Sequence, residues 1–143
     1  MASLFSHWTN KNRAKQALKK GQLFLAQNAK KEGITTTQSG LQYRIIKQGE
    51  GQKAKGWHKA TVHYRGTFIN GKEFDSTNEK DGPTTFMVGE VILGWSEALK
   101  LMNPGSTYQL FIPCQLAYGP KGAAGIIGPN EVLIFNTELI KLS

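Results

Sequence analysis

Six aromatic residues and one carboxylate carry the chemistry this chain has to offer: Tyr64, Phe74, Asp75, Phe86, Trp95, Tyr118 and Phe135. Rings scattered over this much sequence serve one of two ends. They fill an ordinary core, or they line a concave pocket with a few polar tips, the usual form of a small-ligand site. In the second case the chemistry is non-covalent: ring walls exclude water, and tyrosine hydroxyls orient what is bound. The residue types alone leave both readings open.

Other chemistries find no support. Cys114 is the single cysteine, which rules out an internal disulfide and a cysteine zinc cluster. It follows Pro113 without a basic neighbour, so a small packing residue is expected rather than a thiolate. His7, His58 and His63 show no metal-ligand spacing. Ser76, His63 and Asp75 lack a nucleophile elbow. Gly119, Gly122, Gly125 and Gly128 recur every third residue, but no Lys-Ser/Thr pair and helix follow, so they read as a flexible loop and not a phosphate cradle. No metal and no cofactor is expected.

The elements that would hold the aromatic set are mostly strands. Sixteen glycines imply many turns. Leu41, Tyr43 and Ile45 alternate; Val62, Tyr64 and Phe68 share one strand face; Asn70-Gly71 is a hairpin turn before Glu73-Phe74-Asp75. Phe86 and Val88 form a short strand, Tyr108, Leu110 and Ile112 alternate again, and Val132 to Leu142 make a last, largely apolar strand. Trp95, Ala98, Leu99 and Met102 lie at helical spacing until Pro104-Gly105. The expectation is an α+β unit: an antiparallel sheet of five to six strands covered by one short helix.

Ahead of this unit, residues 10 to about 32 read as a helix, capped by Thr9 or Asn10 and stopped at Gly33. Ala14, Ala17, Leu18, Gly21, Phe24 and Leu25 give it a moderately apolar face. Gly21 inside it costs about 1 kcal/mol relative to alanine, which signals either close packing or a soft point. Thr35 to Gly40 read as a linker or an edge entry to the next domain. The net charge of +8 gathers here: residues 1–33 hold seven basic residues against Glu32, a net of +6. The rest is nearly neutral, which argues against a nucleic-acid binder as a whole. The cations can form a solvated face or bind an acidic partner. Domain boundaries are set at 1–33 for the basic helix and 34–143 for the sheet unit. No run of residues is apolar and long enough to span a bilayer, and Met1 to Thr9 lack the parts of an export signal.

Four segments in one order sharpen this. Val62-His63-Tyr64-Arg65-Gly66-Thr67, Lys72-Glu73-Phe74-Asp75-Ser76, Val91-Ile92-Leu93-Gly94-Trp95, and Leu116-Ala117-Tyr118-Gly119 running on to Gly128-Pro129-Asn130 and Leu133-Ile134-Phe135 resemble the FKBP-type peptidyl-prolyl cis-trans isomerases. The resemblance covers residues 40 to 142. It implies a curved antiparallel sheet wrapped over a short helix, and acceleration of Xaa-Pro rotation in flexible protein segments. It implies Trp95 as the pocket floor, Tyr64, Phe74 and Phe135 as walls, and Asp75 at the rim. Phe86, Val91, Ile92, Ile126 and Ile127 complete the lining, with the Tyr118 hydroxyl and the Ile92 N–H as donors. Macrolides such as rapamycin and tacrolimus are the implied inhibitors. A non-catalytic module holding proline segments in the same pocket is the alternative.

This chain departs from the family pattern at the rim. Lys80 stands where many members carry an arginine facing the aspartate, Thr84 where some are aromatic, and Ala123 where some carry histidine. Residues 21–33 and 39–43 further resemble the linker helix of macrophage-infectivity-potentiator-like bacterial FKBPs. That likeness implies a monomer lacking most of the dimerisation domain, with pairing through the helix as the alternative, in a bacterial cytoplasm or periplasm.

Overall fold

The computed structural model describes residues 4–123 and 125–143, with side chains described from residue 11 onward. The chain opens with helix α1 (Leu4–Asn28) and continues through strands β1 (Ile34–Thr36), β2 (Gln42–Lys47), β3 (Lys59–Thr67), β4 (Glu73–Ser76) and β5 (Thr84–Met87). Helix α2 (Leu93–Leu101), β6 (Thr107–Ile112) and β7 (Leu133–Leu142) complete it. The seven strands form one antiparallel sheet in the order β1-β2-β6-β7-β3-β4, with β5 also on β3. This is one strand more than the sequence suggests. The extra strand, β1, is a polar edge without an alternating pattern, and backbone pairing of Ile34 to Thr36 with Arg44 to Gln42 is what defines it.

Alternation decides which residues face the core. Ala60 and Val62 of β3, Leu110 and Ile112 of β6, and Leu133, Phe135 and Leu139 of β7 are buried together. Helix α2 covers them with Trp95, Ala98 and Leu99. Gly94 lets it lie close, since a Cβ there would collide with the Ile112 side chain. Cys114 is a half-buried free thiol in the turn after β6, less enclosed than its type suggests.

Strand β3 is shared along one edge. Its first half pairs with β5 (Lys59 to Val62 opposite Met87 to Thr84) and its second with β4 (Arg65 to Thr67 opposite Ser76 to Glu73). Thr77 fills the gap: its N–H donates to the Tyr64 carbonyl at 3.0 Å and its hydroxyl accepts from the Tyr64 N–H at 3.0 Å. This split carries Phe74 and Asp75 to one side of Tyr64 and Phe86 to the other.

Helix α1 differs from the sequence reading at both ends. It begins at Leu4, so Thr9 and Asn10 lie inside it and not at its start. A hydroxyl or amide caps only where the chain before it leaves the helix, and here residues 4–8 are helical. It ends at Asn28 rather than near 32. Lys30 N–H turns back to Gln27 O and Lys31 N–H to Asn28 O, and Gly33, at φ +82°, redirects the chain into β1.

The helix is docked, not free. Gly21 is buried, and a Cβ there would stand 2.8 Å from Val132 Cγ2. Phe24 packs on Phe111 with ring centroids 6.1 Å apart. The Asn28 amide donates to Gln42 Oε1 at 2.8 Å, and Gln42 Nε2 donates to the Leu25 carbonyl at 2.9 Å. Both amides are almost fully buried, where an unmade bond would cost about 1–3 kcal/mol. Close packing therefore explains Gly21. Gly21→Leu is expected to lower the melting temperature and expose α1 amides to hydrogen exchange, whereas Leu23→Ala, at a 61% exposed site, leaves both unchanged. A Gly21→Leu protein with native exchange in α1 would contradict the docking.

Candidate functional site

Trp95 stands at the centre of a ring cluster. It meets Tyr64, Phe86 and Phe135 edge to face, with centroids 5.2, 5.7 and 5.2 Å apart and interplanar angles of 86°, 86° and 88°. Phe74 meets Phe135 at 5.5 Å and 85°. T-shaped geometry sets the electropositive edge of one ring against the electronegative face of the next, so the cluster is fixed in shape. Trp95 is only 3% exposed. Above it opens a cavity of about 470 Å³ lined by Tyr64, Phe74, Asp75, Phe86, Glu90, Val91, Ile92, Trp95, Tyr118 and Phe135.

Gly66 makes room for two of these walls. A Cβ there would lie 2.6 Å from Phe74 Cζ and 2.7 Å from Phe135 Cε1. The glycine in the Tyr64-Arg65-Gly66 run thus lets the two rings meet over β3.

The polar groups are few and sit at the rim. The Tyr64 hydroxyl donates to Asp75 Oδ2 at 2.6 Å. Burial first, then this bond and the carboxylate's charge, push the Tyr64 phenol well above its ordinary range, so it stays a neutral donor. The bond holds Asp75 by one oxygen. Among the described residues Asp75 makes no ion pair, so the lysine at position 80 does not take the place of a facing arginine. Tyr118, 42% exposed, leads into a 3-10 turn (Gly119–Lys121), and its hydroxyl has no partner among the described residues. Ile92 caps α2 in extended conformation: its carbonyl accepts from Ser96 N–H at 3.0 Å. The Ile92 N–H makes no hydrogen bond among the described residues. Two idle donors therefore border an apolar cleft.

Nine of the eleven residues singled out in the sequence line this cavity. Ile126 and Ile127 do not. Ala123 and Ile127 bridge to close their loop, which leaves Ile126 64% exposed and turns Ile127 into the core. Glu90 lines the cavity without having been singled out. It ends a 3-10 turn (Val88–Glu90) directly before Val91-Ile92, and that adjacency was the available signal. The histidines lie elsewhere: His58 Nδ1 accepts from Lys55 N–H at 2.8 Å and His63 Nδ1 meets the Thr77 hydroxyl at 3.0 Å. The His7 side chain is outside the described residues.

The loop that starts at Tyr118 is tied down at its far end. Asn130, at φ +58°, donates its N–H to the Gly119 carbonyl at 2.9 Å and its side-chain amide to the Ala14 carbonyl of α1 at 3.1 Å. One asparagine in the left-handed region, where its type is tolerated, thus joins this loop to the helix.

An antiparallel sheet over one helix thus holds an apolar, aromatic-walled cleft over Trp95, with the Tyr118 hydroxyl and the Ile92 N–H unpaired among the described residues. The sequence matches the family FKBP-type peptidyl-prolyl cis-trans isomerase over residues 49–140, and the domain amino terminal to FKBP-type peptidyl-prolyl isomerase over residues 2–45. The chain belongs to the FKBP-type peptidyl-prolyl cis-trans isomerase family.

Its similarity to individual members is high. Outer membrane protein MIP of Legionella longbeachae is 49% identical over 130 residues, which cover 91% of this chain and 56% of that protein. The FKBP-type 22 kDa peptidyl-prolyl cis-trans isomerase of Escherichia coli is 47% identical over 122 residues, 85% of this chain and 59% of that one. The chain thus spans little more than half the length of these relatives. The crystal structure of FkpA from Escherichia coli superposes with a TM-score of 0.92 at 36% identity, over 96% of this chain and 64% of that one. A peptidyl-prolyl cis-trans isomerase from Pseudomonas syringae pv. tomato gives 0.84 at 34%, over 91% and 96%. No helix among the described residues is long and apolar enough to cross a membrane.

Proposed function

We propose that this chain is a peptidyl-prolyl cis-trans isomerase that accelerates rotation about Xaa-Pro bonds in unfolded or flexible protein segments, and so assists folding. In this reading residues 34–143 are the catalytic unit, residues 1–33 carry the basic helix, and macrolides such as rapamycin and tacrolimus compete for the same cavity. The observation that carries it is the Trp95-centred cluster: three rings at fixed angles around the indole, below a cavity large enough for a pyrrolidine ring.

The reaction needs no covalent catalyst. Rotation about a peptide C–N bond faces a barrier of about 18–20 kcal/mol, mostly lost amide resonance. Both isomers of Xaa-Pro lie within about 1 kcal/mol, and uncatalysed exchange takes roughly 10–100 s. The twisted amide is less polar than the planar one, so water favours the ground state. The Trp95 floor and the walls of Tyr64, Phe74, Phe86 and Phe135 remove that advantage. The Tyr118 hydroxyl and the Ile92 N–H hold carbonyls on either side of the ring, and Asp75, fixed by Tyr64, faces the turning amide. Interactions stronger in the twisted state than in the planar one lower the barrier. A gain of about 4 kcal/mol gives roughly a thousandfold in rate.

Exchange spectroscopy on a Leu-Pro peptide tests this reading at equilibrium. Catalysis gives cis–trans exchange cross-peaks at catalytic protein concentration, and Tyr118→Phe weakens them severalfold while the fold is kept. Line broadening without cross-peaks would instead mark a non-catalytic proline-binding module.

A further inference from the structure

A second cavity, of about 560 Å³, lies between α1 and the β3–β4 turn. Arg13 and Lys20 of the helix border it; Phe68 and Ile69 of the turn form its apolar side; Pro129 and Glu131 close it. Its volume falls in the range of about 300–1,000 Å³ typical of binding clefts. Helix α1 contains no acidic residue, so its cations have no partner along the helix. Among the described residues the one ion pair is Arg65 with Glu73, which leaves Arg13 and Lys20 unpaired there and outnumbering Glu131.

One ring pair links the walls of the two cavities. Phe68 lines the second and Phe74 the first, and the two rings pack together with centroids 4.9 Å apart and planes 37° from parallel. An extended chain advances about 3.3–3.6 Å per residue, so a few residues carry it past this ring pair. We propose that the groove is an extension of the substrate site and takes an acidic, apolar stretch of the same polypeptide whose proline occupies the Trp95 cavity. This rests on the isomerase reading above. Charge complementarity selects the occupant: two free cations flank an apolar floor, which suits acidic side chains alternating with apolar ones. A phosphate backbone would pair with the cations but leave Phe68 and Ile69 unused. The ordering of α1 against the sheet, through Gly21, Asn28 and Asn130, keeps the cations in place over the groove.

The test compares a four-residue Leu-Pro peptide with peptides of about fifteen residues, extended on either side of Leu-Pro by Glu and Leu or by Lys and Leu. The double variant Arg13→Glu/Lys20→Glu is expected to raise KM for the acidic long peptide at least about tenfold, to lower it or leave it unchanged for the basic one, and to leave the short peptide unaffected. Lys15→Glu/Lys19→Glu carries the same charge change on the same helix outside the groove, and is expected to move KM for the acidic peptide by less than about twofold. Equal effects of both double variants would reduce the preference to net charge and overturn the proposal, as would no effect of either. So would loss, in Arg13→Glu/Lys20→Glu, of binding to duplex DNA or phosphatidylglycerol vesicles alone, with peptide KM unmoved. Failure of the wild type to turn over even the short peptide would count against the isomerase reading. Fluorescence-detected binding of the acidic long peptide to the wild type and both variants would then still decide on the groove.

Discussion

Trp95→Ala is expected to lower folding stability by about 3–5 kcal/mol and to abolish ligand binding in the cleft. The side chain is 3% exposed and meets three rings edge to face, so its removal leaves a large void and frees Tyr64, Phe86 and Phe135 to move. Each aromatic pair adds about 0.5–1.5 kcal/mol beyond its buried area. Trp95→Leu keeps part of the volume and is expected to lose markedly less stability while still weakening binding. Urea unfolding gives the first quantity and rapamycin titration at low temperature, where the variant remains folded, gives the second. A Trp95→Ala protein within 1 kcal/mol of wild type, or one that binds normally, would show that the floor of the site lies elsewhere.

The second large effect is expected at Gly66, outside the cavity lining. An added methyl would stand 2.6 Å from Phe74 and 2.7 Å from Phe135, so both rings must shift into the cleft. Overpacking of this kind costs about 1–3 kcal/mol, and the narrowed cleft is expected to lose more than tenfold in ligand affinity. Gly56→Ala is the matched control, because the nearest atom to its Cβ is Lys100 Cε at 4.0 Å. Equal affinity in both variants would mean that the rings yield away from the site, and the account of Gly66 would fail.

How much of this could be read from the sequence varied with the kind of signal. Alternation marked β3, β6 and β7, whose apolar faces share one core with α2, but it misled in β2, where Ile45 is 47% exposed and the buried Gln42 bonds to α1. The short polar β1 left no such mark, since an edge strand made by backbone pairing needs no apolar residues. The aromatic set was visible as residue types, but not as a cleft: core and pocket use the same rings, and only the angles around Trp95 and the opening above it separate the two. Tyr64 and Asp75 were both noted, yet their bond was not, because it depends on β4 pairing beside β3. Ile126 and Ile127 looked equivalent in sequence. A single step along the loop exposes the one and buries the other. At Gly21 the cost in helix propensity left close packing and a soft point both open, and the approach to Val132, a partner no local pattern could name, decides for packing.

The central claim is that the aromatic cleft itself lowers the barrier to prolyl rotation. The most direct measurement is the cis-to-trans rate of a Leu-Pro tetrapeptide with purified protein, titrated with rapamycin. Acceleration proportional to protein concentration, falling to the uncatalysed rate at one equivalent of rapamycin, is the expected result. No acceleration by a folded protein that still binds rapamycin would contradict the claim and leave a pocket that holds proline without turning it.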